Sequence, residues 1–174
     1  MKEKLDYRLI ASDLDGTLLK DDKSVAQETY EAIQRYMAAG GKFCICTGRM
    51  LPSVEKIAAE LGVKGIATSY AGALVSDLST GDILYENSLS AKDAAEIAEF
   101  VEKDGVHLQF YTGRTYYANR DDETLARYES SCRVKAIPVL DKPLSALIRE
   151  KNDHAVIVTT PWDELDGDKI LEAM

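Results

Sequence analysis

The chain has 174 residues, of which 45% are hydrophobic and 29% charged, a composition that is ordinary for a globular protein and excludes a disordered chain. Its formal net charge of −9 argues against a nucleic-acid partner, because a phosphate backbone is bound through Lys and Arg. The N-terminal residues lack a signal-peptide pattern and no stretch approaches the roughly 20 apolar residues of a membrane span, so we expect a cytoplasmic protein without a membrane partner.

The first 70 residues alternate short apolar runs with helical patterns. We predict buried strands at 8–12, 42–46 and 65–69. Between them, Ser24 and Gln27 form a capping-box pattern that predicts a helix start, and a second helix is predicted from about Pro52 to Gly62. This order predicts a parallel sheet with covering helices, whose ligands bind at the carboxyl ends of the strands.

After about residue 74 the pattern becomes antiparallel α+β. The predicted elements, in chain order, are a hairpin at 74–85, a helix at 91–104, a hairpin at 106–119, a helix at 121–132, a strand at 134–140, a helix at 144–150, a strand at 155–159 and a helix from 163. Pro138 cannot donate a backbone hydrogen bond, so the strand that contains it is predicted at a sheet edge.

Three cysteines raise the question of a metal site. Cys44 and Cys46 form a C-x-C pattern on the second strand, and Cys132 lies far along the chain. A metal site needs more ligands than this, and His107 and His154 are distant in sequence. Because residues i and i+2 of a strand share one face, we predict buried free thiols.

The first strand is followed directly by two aspartates, Asp13 and Asp15, and by Gly16. Two carboxylates at a strand end can point into one site, where one attacks an electrophile and the other moves a proton. Both would attract Mg²⁺, which prefers oxygen ligands. Taken alone, D-x-D-G is also an ordinary turn.

The full string of residues 13–19, D-L-D-G-T-L-L, closely resembles the first signature of the haloacid dehalogenase superfamily. The resemblance implies that Asp13 is a nucleophile that forms an aspartyl-phosphate. It also implies that Asp15 is the general acid/base and that its main-chain carbonyl ligates Mg²⁺. The expected metal-binding residues are therefore Asp13 and Asp15.

A Thr-Gly-Arg segment follows the second strand. The Thr47 hydroxyl and the Gly48 amide can each donate a hydrogen bond to a phosphoryl oxygen, although Thr47 could instead cap the next helix. Arg49 could pair with acidic groups or phosphate, or lie on the surface. In its form here, C-T-G-R, the segment resembles the second signature of Cof-type members of the superfamily, which implies phosphate binding by Thr47 and Gly48.

The exit of the third strand resembles the Asn-Gly-Ala segment of Cof-type proteins, with Ala71 where Asn is usual. The resemblance implies an α/β fold with an incomplete Rossmann-like parallel core at residues 1–82 and an inserted, incomplete α+β cap at 83–174. In this family the cap closes over the site and selects the leaving group. The cap-hairpin residues Tyr111, Arg114, Tyr116 and Tyr117 either touch substrate or stabilise the hairpin.

Two family segments are not found in the sequence: the later Lys and the G-D-x-x-N-D acids. Gly167-Asp168 is followed by K-I-L-E, which reads as a helix start. We therefore expect a truncated protein with weak Mg²⁺ affinity and impaired activity as an isolated chain, since phosphoryl transfer depends on charge neutralisation. An exposed sheet edge would favour a homo-oligomer or a complementing C-terminal fragment.

The resulting functional prediction is a Mg²⁺-dependent phosphatase of small phosphorylated metabolites that works through an aspartyl-phosphate. One alternative is a non-catalytic fragment that acts as a binding or assembly module. A third possibility is a phospho-acceptor switch, which Asp15 disfavours because a positioned acid/base speeds hydrolysis of the acyl phosphate.

Overall fold

The computed structural model describes residues 5–153, 155 and 157–159. The chain divides into two compact units, Met1–Asn87 and Ser88–Met174. Each unit has its own cluster of buried apolar side chains. No helix among the described residues is long and apolar enough to cross a membrane.

The first unit is built on a five-stranded mixed sheet in the order β1-β2-β3-β4-β5. Strands β1, β2 and β3 are parallel, and β4 and β5 continue the sheet as an antiparallel hairpin. Its elements are β1 (Leu9–Ser12), α1 (Gln27–Ala38), β2 (Lys42–Cys46), α2 (Leu51–Leu61), β3 (Ile66–Ser69), β4 (Leu74–Asp77) and β5 (Ile83–Glu86). The predicted α/β class is confirmed.

Helix α2 shows how the sequence positions this unit. Its apolar stripe is buried against the core that includes Phe43 and Ile45 of β2; the stripe consists of Val54, Ile57, Ala58 and Leu61. Pro52 lies in the first turn, where its missing N–H costs no helical hydrogen bond. Gly62 ends the helix in the left-handed conformation, with φ 63°, which a residue without a side chain adopts readily.

The predicted capping box of α1 is wrong. The helix begins at Gln27 after Ala26, and no side chain caps it. The Ser24 hydroxyl instead donates to the Asp22 carboxylate at 2.5 Å. A serine that closes a local turn with a neighbouring aspartate competes with its use as a helix cap.

The prediction that the first strand is buried is also wrong. Leu9 is 58% exposed and Ile10 39% exposed. Within the described part of the chain, β1 pairs only with β2, so β1 forms one edge of the sheet. An apolar run indicates a strand, but its burial depends on which elements cover it.

The hairpin predicted at 74–85 is present as β4 and β5. Its strands extend the sheet of the first unit, with Leu74 opposite Glu86 and Val75 opposite Tyr85. The unit boundary lies between Asn87 and Ser88. The assignment of residues 1–82 to a core and 83–174 to a cap remains a prediction.

The second unit contains a four-stranded sheet in the order β8-β7-β6-β9. Its elements are α3 (Ala91–Glu102), β6 (Gln109–Thr112), β7 (Thr115–Ala118), α4 (Glu123–Cys132), β8 (Ile137–Pro138), α5 (Leu144–Lys151) and β9 (Ile157–Thr159). The strand with Pro138 lies at the edge, as predicted, but has only two residues. His154, the helix predicted from 163 and the segment Gly167-Asp168 lie outside the described residues.

Candidate active site

The loop after β1 separates apolar from acidic side chains. The Leu14 carbonyl accepts hydrogen bonds from the amides of Thr17, Leu18 and Leu19, at 3.3, 3.0 and 2.8 Å. The three leucine side chains are buried, whereas Asp13 and Asp15 are exposed. Burial of the leucines therefore holds the loop in place and leaves both carboxylates facing solvent, which explains the alternation in D-L-D-G-T-L-L.

An open cavity of about 300 Å³ lies at the carboxyl ends of β1, β2 and β3. Its lining residues are Asp13, Cys46, Thr47, Gly48, Thr68, Ala71 and Gly72. The structure thus brings together three predicted site residues: Asp13, Thr47 and Gly48. Asp15 is not part of this lining.

Thr47 is held firmly at the cavity wall. It is 6% exposed, its amide donates to the Thr68 carbonyl at 3.2 Å, and its carbonyl accepts from the Ala71 amide at 3.0 Å. Its hydroxyl oxygen accepts from the Arg49 amide at 3.2 Å, so the hydroxyl proton remains able to donate elsewhere. Helix α2 is preceded by Met50 and has no side-chain cap, so the alternative of Thr47 as its cap is wrong.

Arg49 is the site residue whose role the sequence left open. Its side chain is buried and makes two parallel hydrogen bonds to Asp15, from Nε to Oδ2 at 2.6 Å and from Nη2 to Oδ1 at 2.8 Å. A third bond joins Nη1 to the Ser53 hydroxyl at 3.3 Å. The fork geometry of Arg suits a carboxylate, and the alternative of a surface arginine is wrong.

The charge state of Asp15 follows from these contacts. The hydrogen bonds from Arg49 lower the pKa of its carboxyl group well below the usual range; partial burial opposes this, and Lys23 at 2.9 Å lowers the pKa further. Asp15 is therefore a carboxylate at neutral pH. In this arrangement it is a weak base, and it must gain a proton before it can donate one.

The exit of β3 has an unusual backbone. Tyr70, Ala71 and Gly72 have φ values of 51°, 54° and 96°, a left-handed conformation that is rare for residues with a side chain. Tyr70 is buried, and its amide donates to the Arg49 carbonyl at 3.0 Å. Ala71 and Gly72 of this strained turn line the cavity together with Thr47, and strain of this kind clusters at functional sites.

Comparisons with known proteins identify the family and the fold. Residues 10–168 match the family model of haloacid dehalogenase-like hydrolases. The chain belongs to this family. The Cof-type resemblance stated from the sequence is thereby confirmed.

Relatives of this haloacid dehalogenase-like chain include two proteins of Bacillus subtilis (strain 168). YxeH is 33% identical over 71% of this chain and 47% of its own length. The 5-amino-6-(5-phospho-D-ribitylamino)uracil phosphatase YwtE is 31% identical over 84% of this chain and 46% of its own. The chain spans about half the length of these curated relatives.

Solved structures share the fold. A haloacid dehalogenase-like hydrolase from Bacteroides thetaiotaomicron superposes with a TM-score of 0.70 at 23% identity, covering 80% of this chain and 53% of its own. TM0651 from Thermotoga maritima gives a TM-score of 0.73 at 22% identity, covering 96% of this chain and 59% of its own.

The two aspartates of this haloacid dehalogenase-like site differ as metal ligands. The Asp13 carboxylate is exposed at the cavity and is the hard oxygen donor that Mg²⁺ prefers. Both carboxylate oxygens of Asp15 accept from cations, Arg49 and Lys23. Among the described residues, no group of three or more His, Cys, Asp or Glu side chains converges on one point. The side chain of Asp15 is therefore a poor metal ligand in this arrangement.

The cysteines are free thiols, as predicted, and form no disulfide among the described residues. Cys44 and Cys132 are buried, but Cys46 is only partly buried and lines the cavity. The Sγ atoms of Cys44 and Cys46 lie 3.6 Å apart. The sequence indicated their shared face, while only the fold shows that Cys46 reaches the site.

Three of the four cap-hairpin candidates, all tyrosines, make packing contacts within the second unit. Tyr111 and Tyr116 are buried, and their rings stack at 5.0 Å. The Tyr111 hydroxyl donates to Gln109 at 2.5 Å. Tyr117 stacks on Phe110 at 5.8 Å, and Arg114 is exposed. The structure therefore favours hairpin stabilisation by these tyrosines.

Proposed function

We propose that this chain carries the nucleophile and the phosphoryl-binding groups of a Mg²⁺-dependent phosphatase of small phosphorylated metabolites. The observation that supports this most directly is the cavity that joins Asp13 to Thr47 and Gly48. The substrate class is supported by YwtE, whose name gives a small phosphorylated compound as its substrate.

The phosphoryl oxygens would be held at the end of β2. The Thr47 hydroxyl and the Gly48 amide are the donors, and preorganised donors of this kind stabilise developing negative charge. No atom lies within 4 Å of the position that a Cβ at Gly48 would occupy. The protein itself therefore does not require glycine at this position, whereas a phosphoryl group in the cavity would.

The reaction would have two steps. A carboxylate oxygen of Asp13 attacks phosphorus, the bond to the leaving oxygen breaks, and Asp15 gives that oxygen a proton. Asp15 then takes a proton from a water molecule, which attacks phosphorus and releases phosphate from Asp13. Because Arg49 and Lys23 hold Asp15 as a carboxylate, its first role requires that substrate binding weaken this ion pair and that Asp15 take up a proton from solvent.

Mg²⁺ would be held by the Asp13 carboxylate and, as the family resemblance implies, by the main-chain carbonyl of Asp15. When bound, it would neutralise charge on the phosphoryl group. The exposed Asp13 carboxylate fits this role by its chemistry. Hydrogen bonds from Arg49 and Lys23 occupy the Asp15 carboxylate, so its side chain would be a poor ligand for the metal.

The test is release of inorganic phosphate from sugar phosphates, nucleotides and p-nitrophenyl phosphate, with and without Mg²⁺. We expect weak turnover that requires the metal and falls to background in Asp13→Asn, which keeps the side-chain shape. Gly48→Ala is the matched variant: it should fold normally and bind phosphate more weakly. Equal turnover in a folded Asp13→Asn sample would refute the proposed nucleophile.

A specific observation also supports the alternative of an assembly module. The edge strand β1 exposes Leu9 and Ile10, and unpaired strand edges recruit other chains. We propose that a second copy, or a complementing C-terminal fragment, pairs there. Sizing at rising protein concentration should show association that Ile10→Lys weakens; a monomer at every concentration would argue against self-association.

A further inference from the structure

The two thiols of β2 form a pair that the phosphatase mechanism does not use. Cys44 and Cys46 share one face of the strand, and their Sγ atoms lie 3.6 Å apart, in van der Waals contact. Cys46 lines the cavity beside Asp13 and Thr47. Cys44 is 9% exposed. A small molecule in the cavity therefore meets Cys46 first, and the nearest sulfur to Cys46 is that of Cys44.

We propose that Cys46 is an oxidation site in the cavity wall and that Cys44 is its resolving thiol, so that a peroxide converts the pair into a reversible disulfide within β2. The proposal concerns thiol chemistry and goes beyond phosphoryl transfer.

The chemistry balances with one peroxide for each pair of thiols. The Cys46 sulfur attacks one peroxide oxygen, the O–O bond breaks, and the products are a sulfenic acid on Cys46 and an alcohol, or water from hydrogen peroxide. The Cys44 sulfur then attacks the Cys46 sulfur, and the sulfenic oxygen leaves as water with the Cys44 proton. Both sulfurs are oxidised and the peroxide is reduced.

The order of the two steps follows from burial. Burial, and next the hydrogen bond with Cys46, raise the pKa of the Cys44 thiol to about 11. Cys44 is therefore protonated at neutral pH, and the protonated form is a poor nucleophile toward an external oxidant. Once Cys46 is oxidised, contact at 3.6 Å offsets this low reactivity through proximity.

The disulfide is expected to be strained. Two positions apart on a strand, α-carbons are separated by about 6.4–6.8 Å, at the upper end of the range that a disulfide spans. Strained disulfides are readily reduced, which is the property of reversible rather than structural bridges. Because the two sulfurs must close from 3.6 Å to a bond of about 2 Å, we expect β2 to contract immediately before Thr47.

The expected contraction of β2 would affect the position of Thr47. This residue follows Cys46 directly and is held by backbone hydrogen bonds to Thr68 and Ala71, so contraction of β2 must displace it from the cavity wall. We expect weaker phosphate binding in the oxidised chain. This consequence rests on the proposed function; formation of the disulfide does not.

The experiment uses the whole 174-residue chain. The folded protein is treated with hydrogen peroxide, remaining thiols are alkylated, and the protein is digested with trypsin, which cuts after Lys42 and Arg49 and releases both cysteines on one peptide, F-C-I-C-T-G-R. In nearly every chain we expect this peptide to escape alkylation and to be lighter by two hydrogen atoms than its unalkylated, reduced form. Treatment with a reductant should restore the reduced mass. Cys132→Ser is the matched control and should behave like the parent.

Two variants separate the roles of the thiols. Cys44→Ser should stop the reaction at a sulfenic acid on Cys46 that a dimedone probe captures, and Cys46→Ser should leave Cys44 reduced. A parent peptide with Cys46 overoxidised beside a reduced Cys44, or with both thiols unchanged while Cys132 oxidises, would overturn the proposal. Because the peptide mass does not depend on catalysis, failure here and failure of the phosphatase assay are distinguishable.

Discussion

The two units place their polar side chains in contrasting environments. In the first, Asp13 and Asp15 are exposed at the ends of strands, and Thr47 lies at the wall of an open cavity. In the second, His107 and Gln109 are buried and 3.1 Å apart at their side-chain nitrogens, and Gln109 accepts from Tyr111. Polar groups that satisfy one another in an interior stabilise a fold, whereas polar groups left at a cavity are available to a ligand.

This contrast distinguishes polar residues that stabilise the fold from polar residues that are available for catalysis or ligand binding. Hydrogen bonds inside the second unit join His107, Gln109 and Tyr111, so their loss should lower stability. The ion pair of Arg49 with Asp15 combines a buried cation with an exposed carboxylate, so it should affect stability little and the charge state of the site strongly. Four predictions test this division.

The largest effect is expected in the core of the second unit. Phe110 is fully buried, and Phe110→Ala should lower the free energy of unfolding by about 3–5 kcal/mol through lost burial and a cavity. Urea unfolding measures it. Ile137→Ala, at a position that is 47% exposed, is the control and should change little; similar losses in both would show that Phe110 is not a core residue.

The buried polar cluster should come next. Tyr111→Phe removes the hydroxyl that donates to Gln109 and leaves a buried acceptor short of a partner, which should cost about 1–3 kcal/mol. The same change at Tyr85, which is 54% exposed, should be nearly silent in the same unfolding experiment. A larger effect on phosphate binding than on stability would assign Tyr111 to a ligand site instead.

A smaller, pH-dependent effect is expected at Asp15. Its pKa is lowered in the folded state by Arg49 and then Lys23, so the contribution is present above the ordinary aspartate pKa of about 3.9 and is lost as the pH falls toward the lower folded value. Asp15→Asn should cost about 1 kcal/mol at pH 7, because exposure screens the pair. The difference from the parent should shrink below pH 4; a constant difference would contradict the charge assignment.

The smallest effect concerns the strained turn at Ala71. Its φ of 54° suits Asn better than Ala, because Asn bonds locally to its own backbone in this conformation. In a thermal unfolding experiment, Ala71→Asn should raise the free energy of unfolding by about 0.5 kcal/mol. At Ala38, in α1, the same substitution should instead lower stability, because Asn is a weaker helix former; a loss at both positions would contradict the strain.

Much of the fold was predictable because hydrophobic periodicity and the residues that begin or end helices and strands are local features of the sequence. The apolar run at 42–46, helix α2 and its end at Gly62 all have the predicted positions. The candidate cavity was partly predictable for the same reason, since parallel strands bring their carboxyl ends, and hence Asp13 and Thr47, to one rim. The capping role predicted for Ser24 was wrong because its hydroxyl donates to Asp22 and does not bond to the helix.

By itself, therefore, the sequence determined the order of strands and helices along the described part of the chain, the α/β class and the acidic loop that follows the first strand. Only the tertiary structure decided that Arg49 reaches Asp15 across 34 residues of sequence, that Cys46 opens onto the cavity, and that β1 is exposed. The physical reason is that hydrophobic periodicity records which side of an element is apolar. Which residues meet, and how deeply each is buried, depends on the order of the strands within the sheet and on the neighbours that cover each face.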